Sequence, residues 1–218
     1  GVLSKLNISS SSGLLSEKIA IIKDFEKEIE IDFLLGDTPK LIEECIEGVN
    51  RIKRIVIDLK DFAHPGEREA RYADINRNLD STLNVVWNEI KYKAQVKKEY
   101  GEIPQVKCFP QQLNQVFMNI LVNAAQAIEK DGTITITTSL EDGYVKVIIT
   151  DTGCGIPPEN IPKIFDPFFT TKDVGKGTGL GLNVAYKIIK KHKGEIDVES
   201  KVGKGTSFII RIPFEGVS

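Results

Sequence analysis

DTGCGIPPENIPKIFDPFFTTKDVGKGTGLGL, residues Asp151 to Leu182, decides the fold, and the rest of the chain is arranged around it. It opens on an aspartate followed by glycines at alternate positions (Asp151, Gly153, Gly155) and closes on a second cluster, Gly175, Gly177, Gly179 and Gly181. Between them lie an apolar-aromatic run (Ile164, Phe165, Phe168, Phe169) and Thr170-Thr171-Lys172. Glycine lets a ligand approach the backbone closely. A glycine cluster at the start of a helix also leaves free N–H groups at a positive dipole end, which suits phosphate. With Asp151 as an acceptor carboxylate at the floor, the layout reads as a nucleotide pocket under a flexible lid.

The flanks support a layered domain. Upstream, Thr133–Ser139 and Tyr144–Thr150 alternate β-branched residues around Gly143, a hairpin. Before that hairpin, Leu113, Val116, Phe117, Ile120, Leu121, Ala124 and Ile128 recur at helical spacing over residues 111–130. Downstream, Leu182–Lys191 is helical as far as Gly194, and Glu195–Ser200 pairs with Thr206–Pro213. Further upstream, Asp74 caps a helix carrying Leu79, Leu83 and Val86, and Tyr92–Tyr100 is a strand. Helices with a hairpin-rich sheet predict an α+β domain, a two-layer α/β sandwich.

The N-terminal third differs. Residues 1–13, with Ser9 to Ser12 and Gly13, form a poorly ordered edge. Leu15, Ile19, Ile22, Phe25, Ile29 and Phe33 mark one helix. Gly36-Asp37-Thr38-Pro39 breaks it, and Thr38 and Pro39 open a second that runs to about Ala63, before Pro65-Gly66. Leu41, Cys45, Ile46, Val49, Ile52, Val56, Leu59 and Phe62 form its stripe. Two amphipathic helices cannot bury both stripes alone, so a dimeric four-helix bundle is expected. The other solution is a hairpin laid on its own C-terminal domain. The expected boundaries are a hairpin over 1–67, a linker over 68–74 and the sandwich over 75–218.

Bulk properties exclude several classes. A formal net charge of -2 gives no electrostatic case for nucleic acid. No apolar run reaches ~18 residues, so no membrane contact is expected from this chain. Three cysteines, Cys45, Cys108 and Cys154, lie far apart without C-x-x-C spacing, which suits a reduced cytoplasmic setting and no zinc site. Cys154 reads as a small packing residue.

DTGCGIP, IFDPFFTTK and GKGTGLGL resemble the first glycine box, the F box and the second glycine box of the GHKL ATPase superfamily, in the order of its sensor histidine kinase branch. QVFMNILVNAAQAI (Gln115 to Ile128) resembles the N box of that branch, and GKGTSF (Gly203 to Phe208) its closing GxGT element. The resemblance covers most of the chain from about Tyr72 onward. It implies a Bergerat-type ATP-binding fold, with ATP and Mg²⁺ as cofactors. Asn119 and Asn123, four apart, share one helix face. The alternative is that they cap neighbouring backbone. By resemblance, Asn123 holds Mg²⁺ against the phosphates, as befits a hard ion with few protein ligands. Hydrolysing relatives carry a glutamate one turn earlier, where this chain has Asn119, which is no general base. That favours a kinase over an ATPase. Gln126 stands where many family members have a basic residue.

By the same resemblance, Asp151 accepts from the adenine amine, although a turn-forming Asp before Gly is its simpler reading. Gly153 and Gly155 let backbone pass close to the base, Ile156 and Leu180 wall it, and Thr206 hydrogen-bonds near it. Lys172 reaches the phosphates, and Gly177, Thr178, Gly179 and Gly181 offer N–H donors. Phe165, Phe168 and Phe169 anchor the lid when it is closed, with core packing open for Phe165.

The acceptor side is missing. The branch carries its phosphorylated histidine on the first hairpin helix, yet the two histidines here are His64 and His192. His64 borders the linker. His192 ends a helix, where a charge suits the C-terminal dipole. Both read as structural or surface residues, so no catalytic residue is assigned. The expectation is a histidine kinase core without its acceptor, unable to label itself, that dimerises through the hairpin and serves a response regulator receiver domain. Any membrane anchor lies outside this chain. The alternatives are a GHKL-type ATPase, a degenerate nucleotide-binding scaffold, and a related protein-serine kinase, against which the hairpin speaks.

Overall fold

The computed structural model describes residues 13–21, 23, 35–46, 48–49, 52, 69–172 and 177–215. The chain divides into two compact units, Gly1–Lys53 and Arg54–Ser218.

In the first unit, residues 13–21 and 35–46 are helical. The second stretch runs through Gly36-Asp37-Thr38-Pro39, where the sequence pattern placed a turn. That expectation is corrected for residues 35–39: a glycine costs a helix about 1 kcal/mol and a proline about 3 kcal/mol, and the helix carries both here. Thr38, Leu41, Ile42, Cys45, Ile46 and Val49 line an apolar groove on this helix, and the large side chains along it are exposed. Residues 1–12, Ile22, Phe25, Ile29, Phe33, Val56, Leu59, Phe62, Ala63, His64, Pro65 and Gly66 lie outside the described residues, as does Gly175.

The second unit has the element order β1 (Arg71–Ala73), α1 (Ile75–Ile90), β2 (Ala94–Tyr100), β3 (Val106–Cys108), α2 (Pro110–Ala127), β4 (Gly132–Glu141), β5 (Tyr144–Asp151), α3 (Gly181–Lys191), β6 (Glu195–Lys201) and β7 (Gly205–Pro213). A 3₁₀ turn, Ile161–Lys163, lies between β5 and α3. Five strands form one mixed sheet in the order β2-β4-β5-β7-β6. The β2–β4 pair is parallel, because the chain crosses over through β3 and α2 between them, and the other pairs are antiparallel. Strand periodicity sorts the residues of this sheet. Ile134, Ile136, Val145, Val147, Ile149, Phe208, Ile210 and Ile212 are buried, while the alternate positions carry Thr135, Thr137, Lys146, Thr150, Ser207 and Arg211.

The buried face is covered by helices whose stripes match it: Leu79, Leu83, Val86 and Ile90 of α1; Leu113, Val116, Phe117, Ile120 and Leu121 of α2; and Val184, Ala185, Ile188 and Ile189 of α3. This is the expected α+β two-layer sandwich. Asp74 caps α1 by accepting from the Arg77 N–H at 3.2 Å. One element was not foreseen. Arg71–Ala73, inside the expected 68–74 linker, is a strand that pairs antiparallel with Val106–Cys108.

His192 lies at the C-terminus of α3 and is fully buried, so a surface charge there is corrected. Its Nδ1–H donates to the Ile188 carbonyl at 2.7 Å, which leaves Nε2 to accept the Phe109 N–H at 3.1 Å. The ring also meets the Phe109 ring edge-on, 5.5 Å between centroids. The imidazole is therefore neutral and ties the end of α3 to the start of α2. Burial lowers its pKa, the Ile188 hydrogen bond opposes this, and the Lys191 ammonium adds to the lowering.

A histidine whose folded pKa is depressed supports the fold above its unfolded value, near 6.5, and that support is lost as the pH falls toward the folded value. The wild-type melting temperature should therefore drop more between pH 7.5 and 5.5 than that of His192→Gln, whose amide can still accept from Phe109. Parallel pH dependences by thermal melting would remove His192 as the cause.

Candidate functional site

The base end of the site follows from strand register. Period-two alternation puts Asp151 on the same buried row as Val145, Val147 and Ile149, at the strand end, opposite Thr206 of β7. The core face thus ends in a carboxylate and a hydroxyl, each about 5% exposed or less (Asp151 4%, Thr206 5%). Asp151 Oδ1 accepts the Gly153 N–H at 2.8 Å, and the carboxylate also receives the Thr206 main-chain N–H. Burial pushes its pKa up, and these two bonds oppose the rise. An ionised carboxylate has about four lone-pair positions, so acceptor capacity remains after two N–H groups.

Ser200, which the sequence reading missed, organises this end. Its hydroxyl accepts the Ile156 N–H at 2.8 Å and donates to the Gly205 carbonyl at 3.0 Å. It also lies 2.9 Å from Thr206 Oγ1. A serine has one proton. With that proton on Gly205, the Thr206 hydroxyl donates to Ser200 and keeps its own lone pairs. One side chain therefore fixes the first glycine loop, the β6–β7 turn and the Thr206 hydroxyl together. The signal available in the sequence was the hairpin register, which sets Ser200 opposite Thr206.

The two glycines of the first box are placed differently from expectation. A Cβ at Gly153 would lie 2.6 Å from Ala127 Cβ and from the Ala127 carbonyl oxygen. A Cβ at Gly155 would lie 2.3 Å from the Lys201 carbonyl oxygen. Protein fills both gaps, so these glycines seat the loop on α2 and on the β6 end. Ile156 is half-buried beside them, and Cys154 is exposed, not packed.

The other end is built by α2 and α3. Asn119 Nδ2 donates to the Gly181 carbonyl at 2.8 Å. Asn119 is thus the backbone-capping residue of the pair, tying α2 to the first turn of α3. Asn123, one turn on, turns its Oδ1 to the Lys172 ammonium at 2.9 Å, and Gln126 Oε1 accepts from the same ammonium. Removal of water around that ammonium lowers its pKa. Leu180 is buried at the start of α3, and no side chain caps this helix. Its first-turn N–H groups therefore carry positive partial charge. Thr178 Oγ1 accepts the Leu180 N–H at 3.4 Å. Gly177 packs against Thr170 and Lys172, and Gly179 lies back to back with Phe168, whose N–H donates to its carbonyl at 3.0 Å.

The lid aromatics divide. Phe165 stacks on Tyr186 at 5.3 Å, and its carbonyl accepts from Asn183 Nδ2 at 2.7 Å, a second contact not foreseen. Phe169 is half-buried against the core. Phe168 is 69% exposed, with φ +66, so here only its backbone, through the N–H to Gly179, ties the lid down. The two ends of the site are neighbours, because Gln126 adjoins Ala127, the residue on which the first glycine loop rests.

No group of three or more His, Cys, Asp or Glu side chains able to hold a metal occurs among the described residues, and none of their helices is long and apolar enough to cross a membrane. Asn123 nonetheless fits a cation, since its neutral amide oxygen already faces an ammonium.

Comparison with known proteins agrees with this geometry. Residues 109–216 match the family described as histidine kinase-, DNA gyrase B-, and HSP90-like ATPase. The sensor histidine kinase ZraS of Escherichia coli strain K12 is 33% identical over 180 residues, which cover 82% of this chain and 38% of the relative. The chain thus spans about two fifths of the length of the first curated relatives it matches. The nucleotide-free catalytic domain of histidine kinase ThkA superimposes with a TM-score of 0.60 at 33% identity, over 67% of this chain and 96% of that one. ThkA in complex with the response regulator protein TrrA gives 0.63 at 29% identity, over 76% and 49%. With the N box, the first glycine box, the second from Gly177 onward and the sandwich in place, the chain belongs to the histidine kinase-, DNA gyrase B-, and HSP90-like ATPase family, in its sensor histidine kinase branch.

Proposed function

We propose that the second unit binds Mg-ATP and donates its γ-phosphoryl group to a histidine, for relay to an aspartate of a response regulator. One arrangement carries this reading: a buried carboxylate at the end of β5 and, on α2 beside the loop that follows it, an amide oxygen that already faces a cation. Asp151 and Thr206 would take the edge of adenine, with Ile156 and Leu180 as its walls. The uncapped first turn of α3 and the backbone from Gly177 to Gly181 would take the phosphates, with Lys172. Asn123 would hold Mg²⁺, which would supply neutralisation of phosphate charge during phosphoryl transfer. Such transfer needs positioning more than covalent help on the donor side; the nucleophile is the imidazole of the acceptor histidine, and ADP is the leaving group. Asn119 is committed to Gly181 and lacks a carboxylate to activate water, which favours transfer over hydrolysis.

The remaining parts follow from the same reading. The hairpin over 1–67 pairs with a second copy through the exposed stripe of Leu41, Ile46 and Val49, and 75–218 is the catalytic domain, with 68–74 leading into it. The response regulator partner is supported by the ThkA–TrrA complex, and a cytoplasmic setting by three cysteines that form no disulfide among the described residues. No histidine precedes His64, so this chain alone does not label itself.

Calorimetry with ATP and Mg²⁺, followed by a phosphate-release assay, tests the reading. One site per chain with negligible turnover is expected, and label from γ-labelled ATP should stay off the protein. Brisk unaided hydrolysis would turn the assignment to an ATPase, and acid-labile label on the chain would refute the missing acceptor.

A further inference from the structure

The Lys172 ammonium is held by two neutral amides, Asn123 Oδ1 at 2.9 Å and Gln126 Oε1, and no carboxylate pairs with it among the described residues. Both amides project from α2 and are three residues apart, hence on one face. Lys172 itself sits at the neck of the lid. Its N–H donates to Thr170 Oγ1 at 3.2 Å, and Gly177 closes against Thr170 and the Lys172 stem. Gln126 is exposed, and its side chain makes no other hydrogen bond shown among the described residues.

We propose that Gln126 is a positioning residue: it sets the resting place of the lid lysine on Asn123, so that metal entry and lysine release are one exchange. This rests on the nucleotide reading above. Asn123 Oδ1 cannot serve the ammonium and a divalent ion together, because each demands the same lone pairs and the two cations repel. Two amide dipoles hold a single positive charge without neutralising it. The grip is therefore weak enough for a doubly charged ion arriving with polyphosphate to displace it, and the freed ammonium then finds anionic oxygens nearby. A carboxylate at position 126 would hold the lysine too firmly, and a basic residue would repel it. Gln126 does neither. It holds no nucleotide atom in this scheme and acts only through Lys172.

The test uses the whole chain with ADP, titrating Mg²⁺ at fixed nucleotide and reading binding by calorimetry. Gln126→Leu removes one of two acceptors while sparing Asn123 and Lys172. Losing one exposed charge-assisted hydrogen bond should lower the Mg²⁺ concentration for half-maximal ADP binding by about threefold to fivefold. In a Lys172→Met background the same Gln126→Leu change should have no effect, because the two residues act as a unit. With EDTA present, wild type and Gln126→Leu should bind ADP equally. A raised Mg²⁺ requirement in Gln126→Leu would make Gln126 a ligand and overturn the proposal. A Gln126→Leu effect that persists without Lys172 would overturn it as well. If wild type shows no ADP binding at any Mg²⁺ concentration, the nucleotide reading fails first and this inference with it.

Discussion

Asp151→Asn is expected to weaken ATP binding about a hundredfold and, at the same time, to raise the melting temperature of the nucleotide-free protein near neutral pH. The first effect comes from replacing an acceptor with a donor. An amide N–H would face the exocyclic amine of adenine, and a mismatched buried donor costs about 1–3 kcal/mol beyond the lost bond. At about 1.4 kcal/mol per tenfold, two orders of magnitude follow. A 6-oxo purine should lose far less, since its carbonyl would now meet a donor. The second effect comes from the buried charge. Burial raises the Asp151 pKa despite the Gly153 and Thr206 N–H groups, so ionising it costs the folded state.

The sign follows from linkage. For an acid whose folded pKa lies above its unfolded value, the penalty is absent below the unfolded pKa and complete above the folded one. An uncharged asparagine, which still accepts from Gly153, removes that penalty near pH 7. Calorimetry with ATP and inosine triphosphate, with thermal melts at pH 7.5, checks both halves. Unchanged ATP affinity would take Asp151 out of base recognition. A lower melting temperature would show that the two N–H bonds to the ionised carboxylate outweigh its burial.

The burial of Asp151 was readable from the sequence because a strand repeats every two residues. Once Val145, Val147 and Ile149 are inward, Asp151 must be too. The helices α1, α2 and α3 were readable for the same reason at their own period. Contacts between distant segments were not. β1 and β3 are three residues each, too short to show alternation, and each exists only through the other. Asn119 and Asn123 share a helix face, but periodicity cannot tell which meets the Gly181 carbonyl and which meets a cation. His192 looked like a helix-end charge because its acceptor role depends on Phe109, 83 positions away in sequence. Phe168 resembled an anchor by composition, and only its left-handed backbone turns it outward.

Gly205→Ala should destabilise the second unit more than any surface change, and it should disable the base pocket in whatever remains folded. Gly205 has φ +117, where side chains rarely sit, and an added Cβ would lie 1.9 Å from the Asp151 carbonyl oxygen. That oxygen belongs to the backbone at the end of the middle strand, β5, so no flexible side-chain tip can yield. Backbone strain of about 1–3 kcal/mol and overpacking of about 1–3 kcal/mol together suggest a loss of about 2–6 kcal/mol, centred near about 4 kcal/mol. At about 2–4 °C per kcal/mol for a domain of this size, the melting temperature should fall by about 10 °C or more. The pocket suffers with it, because the Gly205 carbonyl takes the Ser200 proton and Thr206 follows directly in the chain. Gly203→Ala isolates the cause. Gly203 has φ +73 in the same turn, yet a Cβ there meets nothing within 4 Å. Strain alone should cost that variant about 1–2 kcal/mol, with ATP binding intact. Equal losses in the two variants, by urea unfolding, would show that backbone conformation and not the collision with Asp151 governs this corner.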